Sequence, residues 1–280
     1  MSTLDNISKI TSLLGSSVAS LVKIMLQSDW NTPVPHVSSD EEIVILGNGP
    51  SLNETIANHL DFLKSRKLLA VNFAANTDEF TTLAPDYYVL ADPLFFNGIT
   101  LENVQKLWNR LNSVERRMTL FVPAKYKNMT LPLNNSKLKT VFYNLTPVEG
   151  FNFIENWAYG TGLGMPRPRN VLIPSIMLSL RLNFKKIYIA GADHSWTKTI
   201  SVDDDNNVVS IQPHFYKENL KEEQRIRKDY MNYPLHQILH SFYVAFKSYH
   251  TIERYAQKTG AKILNITPGS FIDAFERLKL

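Results

Sequence analysis

A glycine-rich turn between an apolar run and a helical stretch carries the clearest chemical signal, and it reads Ile45-Leu46-Gly47-Asn48-Gly49-Pro50-Ser51-Leu52. Glycines let the backbone approach an anion, proline suits the start of a helix, and Ser51 with the first helical amides can donate hydrogen bonds to phosphate. A dinucleotide fingerprint would need a third glycine at Leu52 and an acid at Asn72, so an NAD or FAD enzyme is disfavoured. The turn predicts a phosphate site formed by Gly47, Asn48, Gly49, Pro50 and Ser51.

Two further polar side chains, Asn72 and Asp92, follow directly after predicted strands. Open parallel sheets bind ligands at the carboxyl ends of their strands, so both residues should lie near the phosphate turn. We expect Asn72 to contact a ribose or a base, and Asp92 to contact a hydroxyl group or a metal ion. The alternative role for either residue is to cap a helix.

Histidines are the candidate proton acceptors. Asp193 and His194 follow another predicted strand, and His214, His236 and His240 come later in the chain. A neighbouring carboxylate can orient a histidine, which suits His194 to fixed ligand binding. His214 or His240 would instead act as a base that arrives when a covering segment closes over the substrate.

The spacing of ionisable residues does not predict an obligatory metal ion. His236 and His240 lie four residues apart, but Gln237 replaces the glutamate of the metalloprotease pattern. The run Asp203-Asp204-Asp205 is expected to be a solvated turn. The chain has no cysteine, which excludes thiolate zinc sites, iron–sulfur clusters and disulfides.

A glycine-containing loop at 159–170 carries two arginines but lacks the Gly-Lys-Ser/Thr of a P-loop. Arg167 and Arg169, with Asn170 beside them, are candidates for binding an anionic donor or acceptor. The alternative interpretation is a basic surface loop.

Short apolar runs alternate with helical stretches from Glu41 onward. The runs that predict strands are 43–46, 68–71, 87–90, 119–122, 187–190 and 262–266, and helices are expected at 176–182 and 234–258. Strands that alternate with helices form parallel sheets. We therefore predict an α/β domain over residues 41–280, Rossmann-like and doubly wound, with a mainly parallel sheet.

Two segments depart from this pattern. Residues 3–27 predict an amphipathic helix, and a proline- and serine-rich linker follows, so residues 1–40 form an N-terminal helical extension. Its apolar stripe should lie on the body, on a membrane surface or on a second copy of the chain. Residues 195–233 are polar and rich in His, Tyr and Arg, and they predict a lid insertion, with a plain surface insertion as the alternative.

The composition is that of a globular protein: 280 residues, of which 44% are hydrophobic and 20% are charged. A net charge of +4 is too small to indicate a nucleic-acid partner, and it is compatible with anionic small molecules. The sequence contains neither an uninterrupted run of 18 apolar residues nor a secretory leader pattern. The expected location is the cytoplasm, with peripheral attachment at the inner membrane as the second option.

The order of these motifs resembles the 6-hydroxymethylpterin pyrophosphokinase-like (MptE-like) family over residues 41–280. The shared motifs are Gly47 to Leu52, Val71-Asn72, Asp92-Pro93-Leu94, Gly191-Ala192-Asp193-His194, His214-Phe215 and Lys262 to Gly269. That family is similar to the bacterial sialyltransferases of glycosyltransferase family 42. Asp92 stands where those enzymes have asparagine, and Asn170-Val171-Leu172 corresponds to their Thr-Ser-Gly acceptor segment.

The resemblance implies a glycosyltransferase that uses a nucleotide-activated sugar, in first place a CMP-activated sialic or other nonulosonic acid, for bacterial lipopolysaccharide or capsule synthesis. The phosphate turn, Asn72 and Asp92 would bind the donor, and Tyr216, Arg225 and Tyr230 would hold its leaving phosphate. His214 or His240 would be the base, and no metal cofactor would be required.

Two alternatives to this activity stay open. One is a pyrophosphokinase that transfers pyrophosphate from ATP to a pterin alcohol, with Mg²⁺ on Asp92 or Asp193. The other is an inactive nucleotide-binding subunit of a glycan complex. Under each of these readings the protein could also form a homo-oligomer.

Overall fold

The structure is a computed structural model that describes residues 3–37, 41–210 and 233–280. Its centre is an eight-stranded sheet of β1 Glu42–Leu46, β2 Lys67–Val71, β3 Tyr87–Val89, β4 Met118–Pro123, β5 Leu138–Tyr143, β6 Lys186–Ala190, β9 Lys262–Asn265 and β10 Glu276–Arg277. The strand order is β10-β9-β6-β1-β2-β3-β4-β5, and each neighbouring pair is parallel. The predicted doubly wound α/β sheet is confirmed, and its order reverses between β1 and β6.

Both faces of the sheet are covered, which explains the continuous apolar runs of its central strands. In β1, Ile43 and Ile45 belong to one core cluster, whereas Val44 and Leu46 belong to the cluster on the opposite face. The helices are α1 Thr3–Gln27, α2 Ser51–Asn58, α3 Leu60–Lys64, α4 Glu79–Leu83, α5 Leu94–Asn97, α6 Glu102–Asn112, α7 Asn152–Thr161, α8 Leu172–Arg181 and α9 Leu235–Lys258.

The sequence prediction missed β5 and β10, which are the two edge strands of the sheet. In β5, Lys139 is exposed and Thr140 is half-buried between buried Leu138 and Val141. An edge strand needs no continuous apolar run, because water covers part of it. The same prediction started α8 four residues late: the helix begins at Leu172, whose N–H donates to Asn170 Oδ1.

The described part of the predicted lid contains a short antiparallel hairpin, β7 Ile200–Val202 with β8 Val208–Ser210. Its turn is built on Asp203, whose carboxylate accepts hydrogen bonds from the backbone N–H groups of Asp205 and Asn207. The expectation of a solvated turn at Asp203-Asp204-Asp205 is confirmed. The lid residues His214, Tyr216, Arg225 and Tyr230 lie outside the described residues.

Helix α1 packs against the loop that precedes α7. The segment after α1 is held closely as well: Thr32 and Val34 are buried, and the Asp29 N–H donates to Asn144 Oδ1 at 2.9 Å. Within α1, the 23 residues Asp5–Gln27 are long and apolar enough to cross a membrane by length and composition. The serines and threonines between its aliphatic residues interrupt the apolar run in the sequence without making the helix strongly polar.

Candidate functional site

A cleft of about 440 Å³ opens at the carboxyl ends of β1, β2 and β6, where the strand order reverses. This size is in the range of small-molecule binding sites. Its lining includes most of the residues that the sequence singled out: Gly47, Asn48, Gly49, Pro50, Asn72, Asp92, Arg169, Asn170, Asp193 and His194. Leu145, Leu172 and Trp196 add apolar surface.

The two glycines of the turn are needed for packing against the end of β6. The Gly47 N–H donates to Ala190 O at 2.8 Å, and the Gly49 N–H donates to Gly191 O at 2.7 Å. A Cβ atom on Gly49 would lie 1.9 Å from Asp193 Oδ2, and one on Gly47 would lie 2.4 Å from Gly191 O. The Gly49 amide therefore serves the fold rather than an anion, which differs from the role that the sequence suggested.

The first turn of α2 already holds a carboxylate of the chain itself. Ser51 Oγ donates to Asp193 Oδ2 at 2.8 Å, which places this negative charge near the N-terminus of the helix. Pro50 has no N–H group, and among the described residues the amides of Asn48 and Ser51 have no backbone acceptor. Of these two residues, Asn48 lines the cleft.

Two asparagines of the cleft have buried amide oxygens that lack a hydrogen-bond partner among the described residues, Asn48 Oδ1 and Asn72 Oδ1. Asn72 also has a left-handed backbone with φ of 51°. Its carbonyl accepts a hydrogen bond from the Tyr88 hydroxyl, which holds this conformation at the end of β2. A strained residue with an unsatisfied buried acceptor is a mark of a functional position.

A third asparagine, Asn170, contributes an unpartnered hydrogen-bond donor instead of an acceptor. Asn170 Oδ1 accepts from the Leu172 N–H at 3.0 Å and from the Tyr249 hydroxyl at 3.1 Å. These donors fix the orientation of the amide, because the NH₂ group cannot take their place. Asn170 Nδ2 is then a buried donor with no partner in the described structure.

Tyr249 links Asn170 to His194. The Tyr249 hydroxyl lies 3.4 Å from His194 Nδ1, and the two rings are stacked with their centroids 5.5 Å apart. The Tyr249 hydroxyl has a single hydrogen, and it donates that hydrogen in the bond to Asn170 Oδ1. In its contact with His194 the Tyr249 oxygen is therefore the acceptor, and the Nδ1–H of His194 is the donor. This tautomer leaves His194 Nε2 unprotonated, as a hydrogen-bond acceptor.

His194 is kept neutral by its surroundings. Trp196 covers its ring at a centroid distance of 4.3 Å, and burial lowers the pKa of His194 to about 3. The prediction that Asp193 orients this ring is wrong. His194 has φ of 47°, and its ring contacts Tyr249 and Trp196, whereas the Asp193 carboxylate contacts Ser51.

The charged residues of the described cleft are Asp92, Asp193 and Arg169. Asp92 caps α5, because its Oδ1 accepts from the Leu94 N–H at 2.8 Å, and its side chain is exposed. Arg169 is exposed at the rim and forms no ion pair with a described residue. Arg167 does not line the cleft, since its guanidinium forms an ion pair with Glu149.

The remaining candidate histidines lie elsewhere or cannot be placed. His236 and His240 are exposed on the first turns of α9 and do not line the cleft. His214, Tyr216, Arg225 and Tyr230 lie in the segment that the structure does not describe. Within the described residues, no group of three or more histidine, aspartate or glutamate side chains is placed to hold a metal ion.

Sequence reasoning missed Tyr249 as part of the site, whereas the segment after β9 belongs to the shared motif Lys262 to Gly269. The Thr267 hydroxyl oxygen accepts from the Ala192 N–H at 3.1 Å, and the Ser270 hydroxyl donates to Ala192 O at 2.7 Å. These contacts hold the turn that presents Asp193 and His194. A tyrosine in the middle of a long amphipathic helix gives no local signal, because its partners are far away in the sequence.

No protein-family model and no curated protein matches the chain. Among solved structures, the MAf glycosyltransferase from Magnetospirillum magneticum AMB-1 is similar over 96% of this chain, with 12% sequence identity and a TM-score of 0.48. The chain spans 38% of the length of that structure. Similarity at this level carries no information about chemistry, so the chemistry of the cleft is judged from its own residues.

Proposed function

We propose that the protein is a glycosyltransferase that takes a nucleotide-activated sugar, with a CMP-activated sialic or other nonulosonic acid as the favoured donor. The acceptor class would be a bacterial surface glycan, lipopolysaccharide or capsule. This proposal combines the motif resemblance of the sequence with the polar groups of the cleft.

The observation that carries the proposal is the set of three unpartnered amide atoms, on Asn48, Asn72 and Asn170, around one cleft. Leaving a buried polar atom without a hydrogen bond costs about 1–3 kcal/mol, so three in one place favour a ligand that satisfies them. Two of them accept and one donates. A ribose and a nucleobase offer hydroxyl and amino donors beside carbonyl acceptors, which complements this set.

The charge of the cleft favours a donor with few phosphates. The described lining residues carry one positive charge, on Arg169, and two carboxylates, on Asp92 and Asp193. A triphosphate would be repelled by these carboxylates unless a divalent cation accompanied it. A CMP-linked nonulosonic acid carries fewer negative charges, one on its phosphodiester and one on its carboxylate, and the Asn48 amide can donate to the phosphodiester.

The reaction would proceed by direct displacement. The acceptor hydroxyl oxygen bonds to the anomeric carbon of the sugar while the bond from that carbon to the phosphate oxygen breaks, and CMP leaves with the electron pair. The acceptor proton passes to a histidine. Because its lowered pKa makes His194 a poor base, we assign His194 Nε2 to accept a hydrogen bond from the ligand and keep His214 and His240 as candidates for the base.

The test is a thermal-shift panel of CMP, UMP, AMP, ATP and CMP-sialic acid, measured in EDTA and again with Mg²⁺. We expect CMP and CMP-sialic acid to stabilise the protein in EDTA, by about 2.7 kcal/mol at a hundred times Kd. Hydrolysis of CMP-sialic acid, in which water replaces the glycan acceptor, would then measure turnover through the release of CMP. Stabilisation by purine nucleotides alone would contradict the assignment of the donor.

The pyrophosphokinase alternative is favoured by one observation, the presence of both Asp92 and Asp193 at the cleft. Each carboxylate has one oxygen in a hydrogen bond, to the Leu94 N–H and the Ser51 hydroxyl, which leaves one oxygen of each for Mg²⁺. Stabilisation by ATP only in the presence of Mg²⁺ would support this reading. Nucleotide binding without any turnover would support an inactive subunit.

A further inference from the structure

Helix α1 lies on the body with its polar side and presents its apolar side outward. Ser17, Ser20 and Ile24 are buried at 1–2% exposure. The Ser20 hydroxyl donates to Glu149 O at 2.8 Å, and the Ser17 oxygen accepts from the Phe151 N–H at 2.9 Å. Ser17, Ser20 and Ile24 therefore form the docking face, and most of the other aliphatic side chains of the helix are exposed.

The outward face is a continuous apolar stripe. It consists of Ile7, Ile10, Leu14, Val18, Leu21 and Met25, which are exposed by 37–65%. Ile7 and Met25 are 18 residues apart, which is five turns of 3.6 residues, so the stripe runs straight along the helix. A coiled-coil seam instead repeats every 3.5 residues, and no single heptad register contains all six residues. The register with Ile10 continues to Ser17, which faces the body, and the register with Val18 and Met25 places Thr11 in the seam. The stripe suits a flat surface better than a second helix.

Exposed aromatic rings extend this surface beyond the end of α1. Trp30 is 63% exposed and its ring lies 6.5 Å from that of Trp157. Phe153 is 70% exposed and lies one turn before Trp157 on α7, the helix whose first residues follow the Phe151 contact with α1. Tryptophan and phenylalanine beside an apolar helix face are typical of the interfacial region of a bilayer.

We propose that this surface, defined by the α1 stripe with Trp30, Phe153 and Trp157, docks on the interface of a lipid bilayer. α1 would lie in the plane of the membrane with its serine face toward the protein. Lys23 is half-buried and its charge acts on Glu149 of the body, so the contact with lipid would rest on the apolar and aromatic side chains rather than on charge. This inference does not depend on the donor proposed for the cleft.

Vesicle flotation of the full chain tests the proposal. The probes are vesicles of phosphatidylcholine and of phosphatidylcholine mixed with phosphatidylglycerol. We expect binding to both, and a loss of about tenfold or more in Leu14→Glu/Val18→Glu. The matched control is Ser12→Glu/Ala19→Glu, which adds the same charges to exposed positions of the same helix outside the stripe.

Folding and the cleft provide the internal controls. All four substituted residues are exposed, so the Tm and the stabilisation by nucleotide should stay at the wild-type values in both variants. Wild-type protein that does not float, or a stripe variant that floats like the control, would overturn the proposal. So would a wild-type dimer that the stripe variant splits without any vesicle binding, because the occupant would then be a second copy.

Discussion

The hydroxyl group of Tyr249 donates to Asn170 Oδ1 at 3.1 Å, and this contact sets the hydrogen-bonding groups of two cleft residues. It leaves Asn170 Nδ2 as a free donor, and it makes the Tyr249 oxygen accept from His194 Nδ1, so that His194 Nε2 is a free acceptor. A residue on α9 thereby determines which hydrogen-bonding groups Asn170 and His194 present to a ligand.

Removing this hydroxyl should weaken ligand binding without removing a cleft residue. In Tyr249→Phe we expect about a fivefold loss of nucleotide affinity, since one hydrogen bond contributes about 1 kcal/mol. Nitrogen NMR of the His194 ring should show one tautomer in the wild type and a mixture in the variant. Tyr255→Phe, on the same helix and remote from the cleft lining, should change neither quantity. An unaltered tautomer in Tyr249→Phe would contradict the network.

His194 should make the protein sensitive to acid. Its pKa is about 3 in the folded state against an ordinary value of 6.5, so below pH 6.5 the unfolded chain takes up a proton that the folded protein does not. The contribution of His194 to the free energy of unfolding is therefore fully present above pH 6.5, and it is lost as the pH drops from 6.5 toward 3. At pH 5 the loss would be about 2 kcal/mol.

The His194→Asn variant isolates this contribution, because asparagine tolerates the left-handed backbone. Its Tm at neutral pH should be lower, owing to the lost ring contacts with Trp196 and Tyr249. The difference in Tm between pH 7.5 and pH 5 should shrink relative to the wild type. An undiminished pH dependence would assign the acid sensitivity to other groups.

Asn72 should lower the stability of the fold and be required for nucleotide binding. Asn72→Gly relieves the strain of a left-handed backbone and removes an unsatisfied buried oxygen. We expect the free energy of unfolding to rise by about 1 kcal/mol, with a higher Tm, and nucleotide binding to be lost. Asn183→Gly is the matched control, because Asn183 has φ of 79° and does not line the cleft. A stabilised Asn72→Gly protein with wild-type affinity would remove Asn72 from the site.

The parallel sheet was predictable because its central strands are buried on both faces, which produces runs such as Ile43-Val44-Ile45-Leu46. The position of the cleft was also predictable from the sequence, since Asn72 and His194 come shortly after such strands. The contacts within it did not follow: the Gly49 amide bonds to Gly191 O, and Tyr249 reaches the cleft across 79 residues of sequence to Asn170. These pairings depend on tertiary packing, which leaves no periodic pattern in the sequence.

Gly49 should be required for the stability of the fold, because it packs against the turn that follows β6. Gly49→Ala places a Cβ atom 1.9 Å from Asp193 Oδ2 and 2.7 Å from Gly191 O, so we expect destabilisation of about 2 kcal/mol or more. Gly15→Ala, in an exposed helical position with open space around it, should stabilise by about 0.5–1 kcal/mol. Adding Asp193→Ala to Gly49→Ala should recover part of the loss. A Gly49→Ala protein as stable as the wild type would mean that the turn shifts freely.

The catalytic base is the last element that needs an experiment. His194 is held neutral with a low pKa and cannot take a proton efficiently near pH 7, whereas His240 is exposed on α9. We therefore expect His214→Ala to lower kcat by about 10²–10⁴-fold with little change in donor affinity, as for a group that acts in the transition state. His236→Ala provides the control for removing an exposed histidine near the same segment. Release of CMP from CMP-sialic acid at saturating donor is measured for His214→Ala, His236→Ala and His240→Ala. If His240→Ala shows the large loss and His214→Ala does not, the base comes from α9. If neither variant is impaired, a histidine base is excluded and the Asp193 carboxylate becomes the group to replace next.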